Sequence, residues 1–136
     1  MLIEPALTSW ALLIGRISLA MVFLVSGLHK SIWYQNAVAE FRAAKVPLVG
    51  VTLPATIALH LIASICLILG IFVVESALLL AFFTVIATIR VHDFWRMSGM
   101  QRLIISCVAL ANLGVVGGLL ILAVTGPGGF ALGSPG

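Results

Sequence analysis

The chain has 136 residues, of which 62% are hydrophobic and only 8% are charged, and its mean hydropathy is +1.29. Seven basic and four acidic side chains are too few to cover the surface of a soluble domain of this length, so the composition excludes a water-soluble enzyme. Six of the seven basic residues lie in or beside two loops, so we interpret the net charge of +3 as contact with lipid headgroups, and we expect no nucleic-acid partner.

Four apolar stretches are each long enough, or nearly so, to cross a hydrocarbon core of roughly 30 Å. They lie at about residues 7–28, 52–74, 76–91 and 102–124. The predicted fold class is therefore an all-α membrane protein, a four-transmembrane-helix bundle with short loops, formed by one domain over residues 1–136. The lipid bilayer is its first partner.

The connections between these spans differ in charge. The first holds Lys30, Arg42 and Lys45, and the third is flanked by Arg90, Arg96 and Arg102. The second connection and both tails contain no basic residue. By the positive-inside rule, loops one and three face the cytoplasm and both termini lie on the outer side.

Three connecting segments have distinct patterns. Residues 37–45 in the first loop alternate charged and apolar positions, which predicts a short interfacial helix. The second connection is predicted near residues 74–76 and is tight, so spans two and three are antiparallel neighbours. The last helix should end near residue 125, because the following segment is rich in Gly and Pro.

Small residues and interhelical hydrogen bonds mark helix contacts in lipid, where apolar burial gives little driving force. Each span has one such stripe at helical spacing, and we expect these stripes to face inward. They are Arg16, Ala20, Phe23, Gly27 and Lys30; Thr56, His60 and Ala63; Ala77, Ala81, Thr84, Thr88 and Val91, ending at Trp95; and Cys107, Ala111, Gly114 and Gly118. Gly27, Gly114 and Gly118 are the predicted helix-packing residues.

Arg16 poses the main problem, because it lies near the middle of the first span and does not lose its charge. At 1.5 Å per residue, Arg16, His60 and Asn112 fall at similar depth. Polar groups there commonly face the bundle interior and serve function, although His60 and Asn112 are also explained as helix locks. Three partners are open for Arg16: outer acids reached by snorkelling, helix carbonyls together with Asn112 and His60, or an anionic group from outside the chain.

Several stretches resemble the DoxX family of small bacterial membrane proteins. They are GRISLAMVFLVSGLHK at 15–30, VPL at 46–48, LILG at 67–70, HDFW at 92–95 and ANLGVVGGLLILAVTGPGGFALG at 111–133. The resemblance implies a four-spanning protein of the bacterial inner membrane, whose outer side is the periplasm. It also implies functional positions at Arg16, Gly27, Lys30, His92, Trp95 and Asn112.

Two positions depart from the family pattern. His60 stands where relatives commonly have a glutamate, and Ala111 where they commonly have a lysine. The two differences remove one charge of each sign. We infer that in relatives these two positions form an ion pair or contact one shared ligand.

The resemblance also bears on function, since the family is similar to subunits associated with sulfur and quinone redox chemistry. These include a thiosulfate:quinone oxidoreductase component and parts of oxidative-stress complexes. We therefore predict an accessory subunit of a quinone-linked membrane complex, with other membrane subunits as partners. The expected ligand- or partner-binding residues are Arg16, Lys30, His60, His92, Trp95 and Asn112.

The sequence has no motif for haem, flavin, iron–sulfur or dinucleotide binding and no metal-ligand spacing, so we expect no intrinsic cofactor, no metal and no catalytic residue. A quinone or a bound lipid is the ligand considered, and Trp33 and Tyr34 join His92 and Trp95 as candidates for an apolar cleft near the cytoplasmic face. Two alternatives stay open: a purely structural or assembly subunit, and a small-solute transporter that acts as an oligomer.

Overall fold

The structure is a computed structural model and describes residues 4–91 and 96–133. Its helices are α1 (Pro5–Ile32), α2 (Tyr34–Ala43), α3 (Val49–Leu69), α4 (Val73–Val91) and α5 (Gly99–Thr125). All except α2 are long and apolar enough to cross a membrane. The predicted all-α, four-span bundle with an interfacial segment in its first loop is confirmed.

The two ends of the bundle carry different parts of the chain. At the α2 end, α1 finishes, α2 lies across the gap, α3 begins and α4 finishes. At the opposite end, which we call the terminal end, α1 begins and the segment after α5 follows. Helix α2 spans Tyr34–Ala43, so it begins three residues earlier than the predicted 37–45.

The long helices pack in the spatial order α1, α3, α4, α5. Helix α1 packs mainly on α3, and α4 packs mainly on α5. Helices α1 and α5 meet over a smaller area, and a Cβ on Gly118 would lie 3.2 Å from the Leu19 side chain. The core is formed by side chains of all four, including Ala20, Phe23, Leu67, Leu80, Leu119 and Leu122.

The predicted inward stripes of the first three spans are confirmed at their buried positions, and Lys30 and Thr88 are half-buried. The side chain of Val91 and all of Trp95 lie outside the described residues. The buried residues of α1 are Arg16, Ala20, Phe23 and Gly27, all members of the predicted stripe. In α3 the predicted Thr56, His60 and Ala63 are buried, and in α4 so are Ala77, Ala81 and Thr84. Small and polar residues therefore mark the inner face of these three helices correctly.

The stripe predicted for the fourth span is wrong at three of its four positions. Helix α5 buries Leu119 and Leu122, whereas Cys107, Ala111 and Gly114 are exposed and only Gly118 packs on another helix. The first three small residues are turned away from the bundle, and leucine side chains fill the core instead. Residue size alone selected the wrong side of this helix.

The turn between α3 and α4 lies at residues 70–72, so its predicted place at 74–76 is wrong. Gly70 adopts φ +76° and ends α3, and its backbone N–H donates to the Cys66 carbonyl. Apolar residues continue through the turn, so the hydropathy pattern gave no sign of it. The predicted end of the last helix is confirmed, since α5 stops at Thr125 and Gly126 caps it with φ +82°.

Candidate functional site

Arg16 lies in the terminal half of the bundle and is only 1% exposed. Its Nη1 donates to the carbonyl oxygen of Pro127 at 2.6 Å. Its Nη2 donates to the carbonyl of Phe130 at 2.7 Å and, at 3.4 Å, to that of Ile68 near the end of α3. The guanidinium is therefore held by main-chain oxygens from two other parts of the same chain.

This arrangement explains how the buried cation is stabilised. The last carbonyls of a helix carry partial negative charge and lack partners in their own helix, so the end of α3 favours a positive group. Of the three kinds of partner considered for Arg16, the structure shows a helix carbonyl, that of Ile68. Asn112 and His60 take no part, and the other carbonyls come from the segment after α5.

Residues 126–133, which we call the C-terminal segment, fold back over the terminal end. The backbone N–H groups of Leu132 and Gly133 donate to the carbonyls of Leu69 and Gly70 at 3.0 and 3.1 Å. The ring of Phe130 lies 4.9 Å from that of Trp10, centroid to centroid. Arg16 thus joins α1, the end of α3 and the C-terminal segment into one closed structure.

A cavity of about 670 Å³, which we call the central cavity, lies in the other half of the bundle, between α1, α3 and α4 and under α2. Most of its lining is apolar. The charged residues that line it, Lys30, Glu40 and Arg90, come from the parts of the chain nearest the α2 end. Its uncharged polar lining includes Thr56, His60, Thr84 and Asn112.

His60 has the most unusual environment in this cavity. It is 3% exposed, and its ring lies edge-on to Phe23 and Phe83, with centroids 5.4 and 4.7 Å away. Within residues 4–91 and 96–133, neither Nδ1 nor Nε2 has a hydrogen-bond partner. A buried imidazole normally bonds through at least one nitrogen, so the chain leaves this one incomplete.

A glycine on the neighbouring helix permits the position of His60. Gly27 is buried where α1 crosses α3, and a Cβ there would lie 3.1 Å from the His60 Cβ and 3.0 Å from the Leu61 side chain. A side chain at this position would require α3 to shift by a few tenths of an ångström or more. Gly27 therefore sets how closely the imidazole approaches α1.

Two further polar residues of the cavity have partners within the chain. Lys30 Nζ donates to Ser26 Oγ at 2.6 Å, one turn earlier on α1. Asn112 Nδ2 donates to Thr88 Oγ1 at 3.0 Å, which joins α5 to α4. A primary amide has two donors and one acceptor, so this bond uses part of its capacity.

The structure thus brings three of the six expected site residues together. Lys30, His60 and Asn112 line one cavity, whereas Arg16 lies outside it. His92 and Trp95 lie outside the described residues. Trp33, a candidate for the cytoplasmic cleft, stacks on His29 at 4.7 Å at the end of α1.

The three expected packing glycines also differ. Gly27 and Gly118 lie at helix contacts, with α3 and α1 respectively. Gly114 is exposed, and a Cβ there would meet no described atom within 4 Å. Its packing role is therefore not met within the described chain and stays a prediction for contact with another protein.

Comparison with known proteins gives the family. The DoxX family model matches residues 11–93, which is more than half of the chain. The chain belongs to the DoxX family. It is 27% identical over 121 residues to the inner membrane protein YphA of Escherichia coli (strain K12), covering 89% of this chain and 86% of that protein. No solved structure matches it.

A second relative of this DoxX protein supports the same conclusion. The inner membrane protein YqjF of Escherichia coli (strain K12) is 29% identical over 120 residues, which cover 88% of this chain and 87% of that protein. Together with four apolar helices of spanning length, these relatives make this chain a multi-pass protein of the bacterial inner membrane.

Sequence reasoning missed several residues of both regions. Phe23 was recognised only as an inward residue, and Phe83 had no signal, because phenylalanine is ordinary in an apolar span. Glu40, in the predicted interfacial helix, also lines the cavity. The described residues contain no group of three His, Cys, Asp or Glu side chains able to hold a metal ion.

Proposed function

We propose that this DoxX-family protein is an accessory subunit of a quinone-linked redox complex of the inner membrane. In this proposal the central cavity is the surface that faces the quinone. The observation that supports it is an amphipathic cavity of about 670 Å³ between membrane-spanning helices. Sites for small hydrophobic ligands have this size, with apolar walls and a few polar groups that fix orientation.

The residues of the cavity fit a quinone. A quinone has a flat apolar ring with two carbonyl oxygens, and the cavity offers phenylalanine walls and hydrogen-bonding groups on His60 and Asn112. When bound, the quinone would supply the electron-accepting chemistry. The chain itself would bind and orient the ring and exclude water, while the electrons would come from a partner subunit.

We also propose that the α2 end faces the cytoplasm and that both termini are periplasmic. The support is the clustering of basic residues at that end, including Arg42, Arg90 and Arg102. Alkaline phosphatase fused to the C terminus should be active, and green fluorescent protein at the same place should not fluoresce. The reverse pattern would contradict this orientation.

The exposed face of α5 favours a second candidate function, that of a structural subunit without a ligand. Gly114 has open space around it, and Leu110 and Leu113 beside it are exposed. A small residue on an apolar face allows another transmembrane helix to approach closely. This candidate shares the assembly role of the first and lacks its quinone.

Purification from the native membrane tests the proposal. A chromosomally tagged chain should elute from mild detergent at fixed stoichiometry with an enzyme that carries a flavin, haem or iron–sulfur centre. Organic extraction of the complex should yield quinone. Co-elution with the redox enzyme and no quinone in the extract would favour the structural subunit. Elution without any redox subunit, together with solute flux by the isolated protein in proteoliposomes, would contradict both and favour transport.

A further inference from the structure

The polar groups of the central cavity are sorted by depth. Lys30 and Arg90 lie within two residues of the ends of α1 and α4. His60 lies eleven residues after the start of α3, which places it about 16 Å along that helix. Asn112 lies thirteen residues after the start of α5, or about 20 Å along it. The charged groups Lys30, Arg90 and Glu40 therefore lie at the α2 end of the cavity, which we call its mouth, and uncharged groups lie at the deep end.

An amphipathic ligand fits such a cavity in one of two orientations. In the first, an anionic lipid places its headgroup against Lys30 and Arg90 at the mouth, and its acyl chains reach the deep end. In the second, an uncharged polar head enters first and lies at the deep end, while the tail follows toward the mouth or the lipid. The hydrogen bonds of the deep residues distinguish the two.

Most deep polar groups already have partners in the chain. Thr56 Oγ1 donates to the Thr52 carbonyl at 2.8 Å, and Thr84 Oγ1 donates to the Leu80 carbonyl at 2.7 Å. Asn112 donates to Thr88. The two threonines would tolerate an acyl chain beside them, whereas Asn112 keeps a second donor and its carbonyl oxygen for a polar ligand.

His60 is different, because both of its nitrogens lack a partner in the part of the chain that the structure describes. A buried polar group left without a hydrogen bond is destabilising, and an acyl chain against it would leave that cost in place. A head group with oxygen atoms would remove it. The ring lies edge-on between Phe23 and Phe83, which limits its motion.

We infer that the cavity binds a membrane-soluble ligand head first. The uncharged, oxygen-bearing head forms hydrogen bonds with His60 and does not contact the charged residues at the mouth. A neutral imidazole has one N–H donor and one acceptor nitrogen. It donates to a carbonyl oxygen and accepts from a hydroxyl, so the same residue suits the oxidised and the reduced form of a quinone-type head. The inference deepens the proposed function and rests on its assignment of the cavity as the ligand site.

Binding of decylubiquinone to the full chain tests this orientation. The protein is placed in nanodiscs of phosphatidylcholine, which has no net charge, and affinity is measured by microscale thermophoresis. His60→Phe should weaken binding about tenfold or more, since loss of about 1.4 kcal/mol of binding free energy corresponds to a factor of ten. His60→Gln, which restores hydrogen-bonding groups, should recover part of the affinity.

Two control variants sharpen the result. His29→Phe makes the same substitution at an exposed histidine outside the central cavity and should leave affinity unchanged. Arg90→Met removes a mouth charge and should change affinity less than threefold. Thermal unfolding of each variant shows whether a loss of binding reflects a loss of folding.

Other outcomes overturn the inference. Wild-type affinity of His60→Phe, or no measurable binding by the wild type, would contradict it. Displacement of decylubiquinone by dioleoylphosphatidylglycerol in wild type but not in Arg90→Met would assign the mouth, not His60, as the headgroup site. His60-dependent binding by a chain that co-purifies with no redox subunit would leave the inference standing and overturn the proposed complex. Co-purification with a redox subunit, together with quinone binding that does not depend on His60, would overturn the inference and leave the proposed complex standing.

Discussion

Arg16 and His60 are both buried polar residues on the inner faces of membrane helices, yet the chain treats them in opposite ways. Arg16 carries a permanent charge, and the fold supplies three carbonyl oxygens for it. His60 has two ring nitrogens, and the described fold supplies no hydrogen-bond partner for either of them. Two of the three guanidinium nitrogens of Arg16 have partners and only Nε lacks one in the described chain, whereas both nitrogens of His60 lack one.

This contrast shows how to separate structural from ligand-binding polar residues in a membrane bundle. A buried group whose hydrogen bonds close within the chain stabilises the fold, and its removal should cost stability. A buried group that lines a cavity without a partner stabilises nothing until a ligand arrives, and its removal should cost binding.

The largest effect is expected from Arg16→Ala. The substitution removes two short charge-assisted bonds and leaves part-buried carbonyls unpaired, so the free energy of unfolding should fall by about 3 to 5 kcal/mol. Thermal unfolding in detergent measures this, with Trp10 fluorescence as a local reporter of the Phe130 contact. Lys30→Ala, near the end of α1, should cost about 1 kcal/mol or less, because water and headgroups replace its contacts. Equal stability of the two variants would contradict the role of Arg16 in joining α1, α3 and the C-terminal segment.

A chain that ends at Gly126 should lose about 2 to 3 kcal/mol, because it lacks two of the three acceptors of Arg16. In combination with Arg16→Ala the losses should not add, since both changes remove the same bonds. A double-mutant cycle in detergent measures the coupling. Additive losses would show that Arg16 and the C-terminal segment act independently.

Gly27→Val should reduce stability by about 1 to 3 kcal/mol, because the added carbons overlap α3 beside His60. It should also weaken decylubiquinone binding. The matched control is Gly114→Val, which meets open space and should stay within about 0.5 kcal/mol of wild type for the isolated chain. A large loss of stability in the control would place Gly114 in a contact that the described chain does not contain.

Asn112→Leu should have the smallest effect, about 0.6 kcal/mol, the typical value of one interhelical hydrogen bond in a membrane protein. Thr125→Val is the control, because its hydroxyl bonds to a carbonyl of its own helix, at Ile121. Chemical unfolding in mixed micelles compares the two. A loss above about 2 kcal/mol for Asn112→Leu would mean that Asn112 contributes to stability on a scale similar to that of Arg16.

Much of the fold could be predicted from the sequence. Four apolar runs fixed the spans, because a bilayer admits little else than helices of that length. The Gly-rich end of the chain fixed where α5 stops. The turn at Gly70 was missed, since apolar residues run through it, and the face of α5 was missed, since leucine fills the core there.

The candidate site could be predicted only in part. Depth counting brought His60 and Asn112 to one level, and both line the cavity. It placed Arg16 there as well, but depth does not show which carbonyls a long side chain reaches. The acceptors of Arg16 are main-chain atoms of a folded-back segment, and main-chain carbonyls have no residue-type signal in a sequence.

The most direct test of the account compares the unfolding of wild type and His60→Phe with and without decylubiquinone. Without the ligand, His60→Phe should be as stable as wild type or up to about 1 kcal/mol more stable, because phenylalanine has no unpaired nitrogens to bury. With the ligand, wild type should gain in melting temperature and His60→Phe should not. A His60→Phe variant that is markedly unstable without ligand, or that gains as much as wild type with it, would contradict the account.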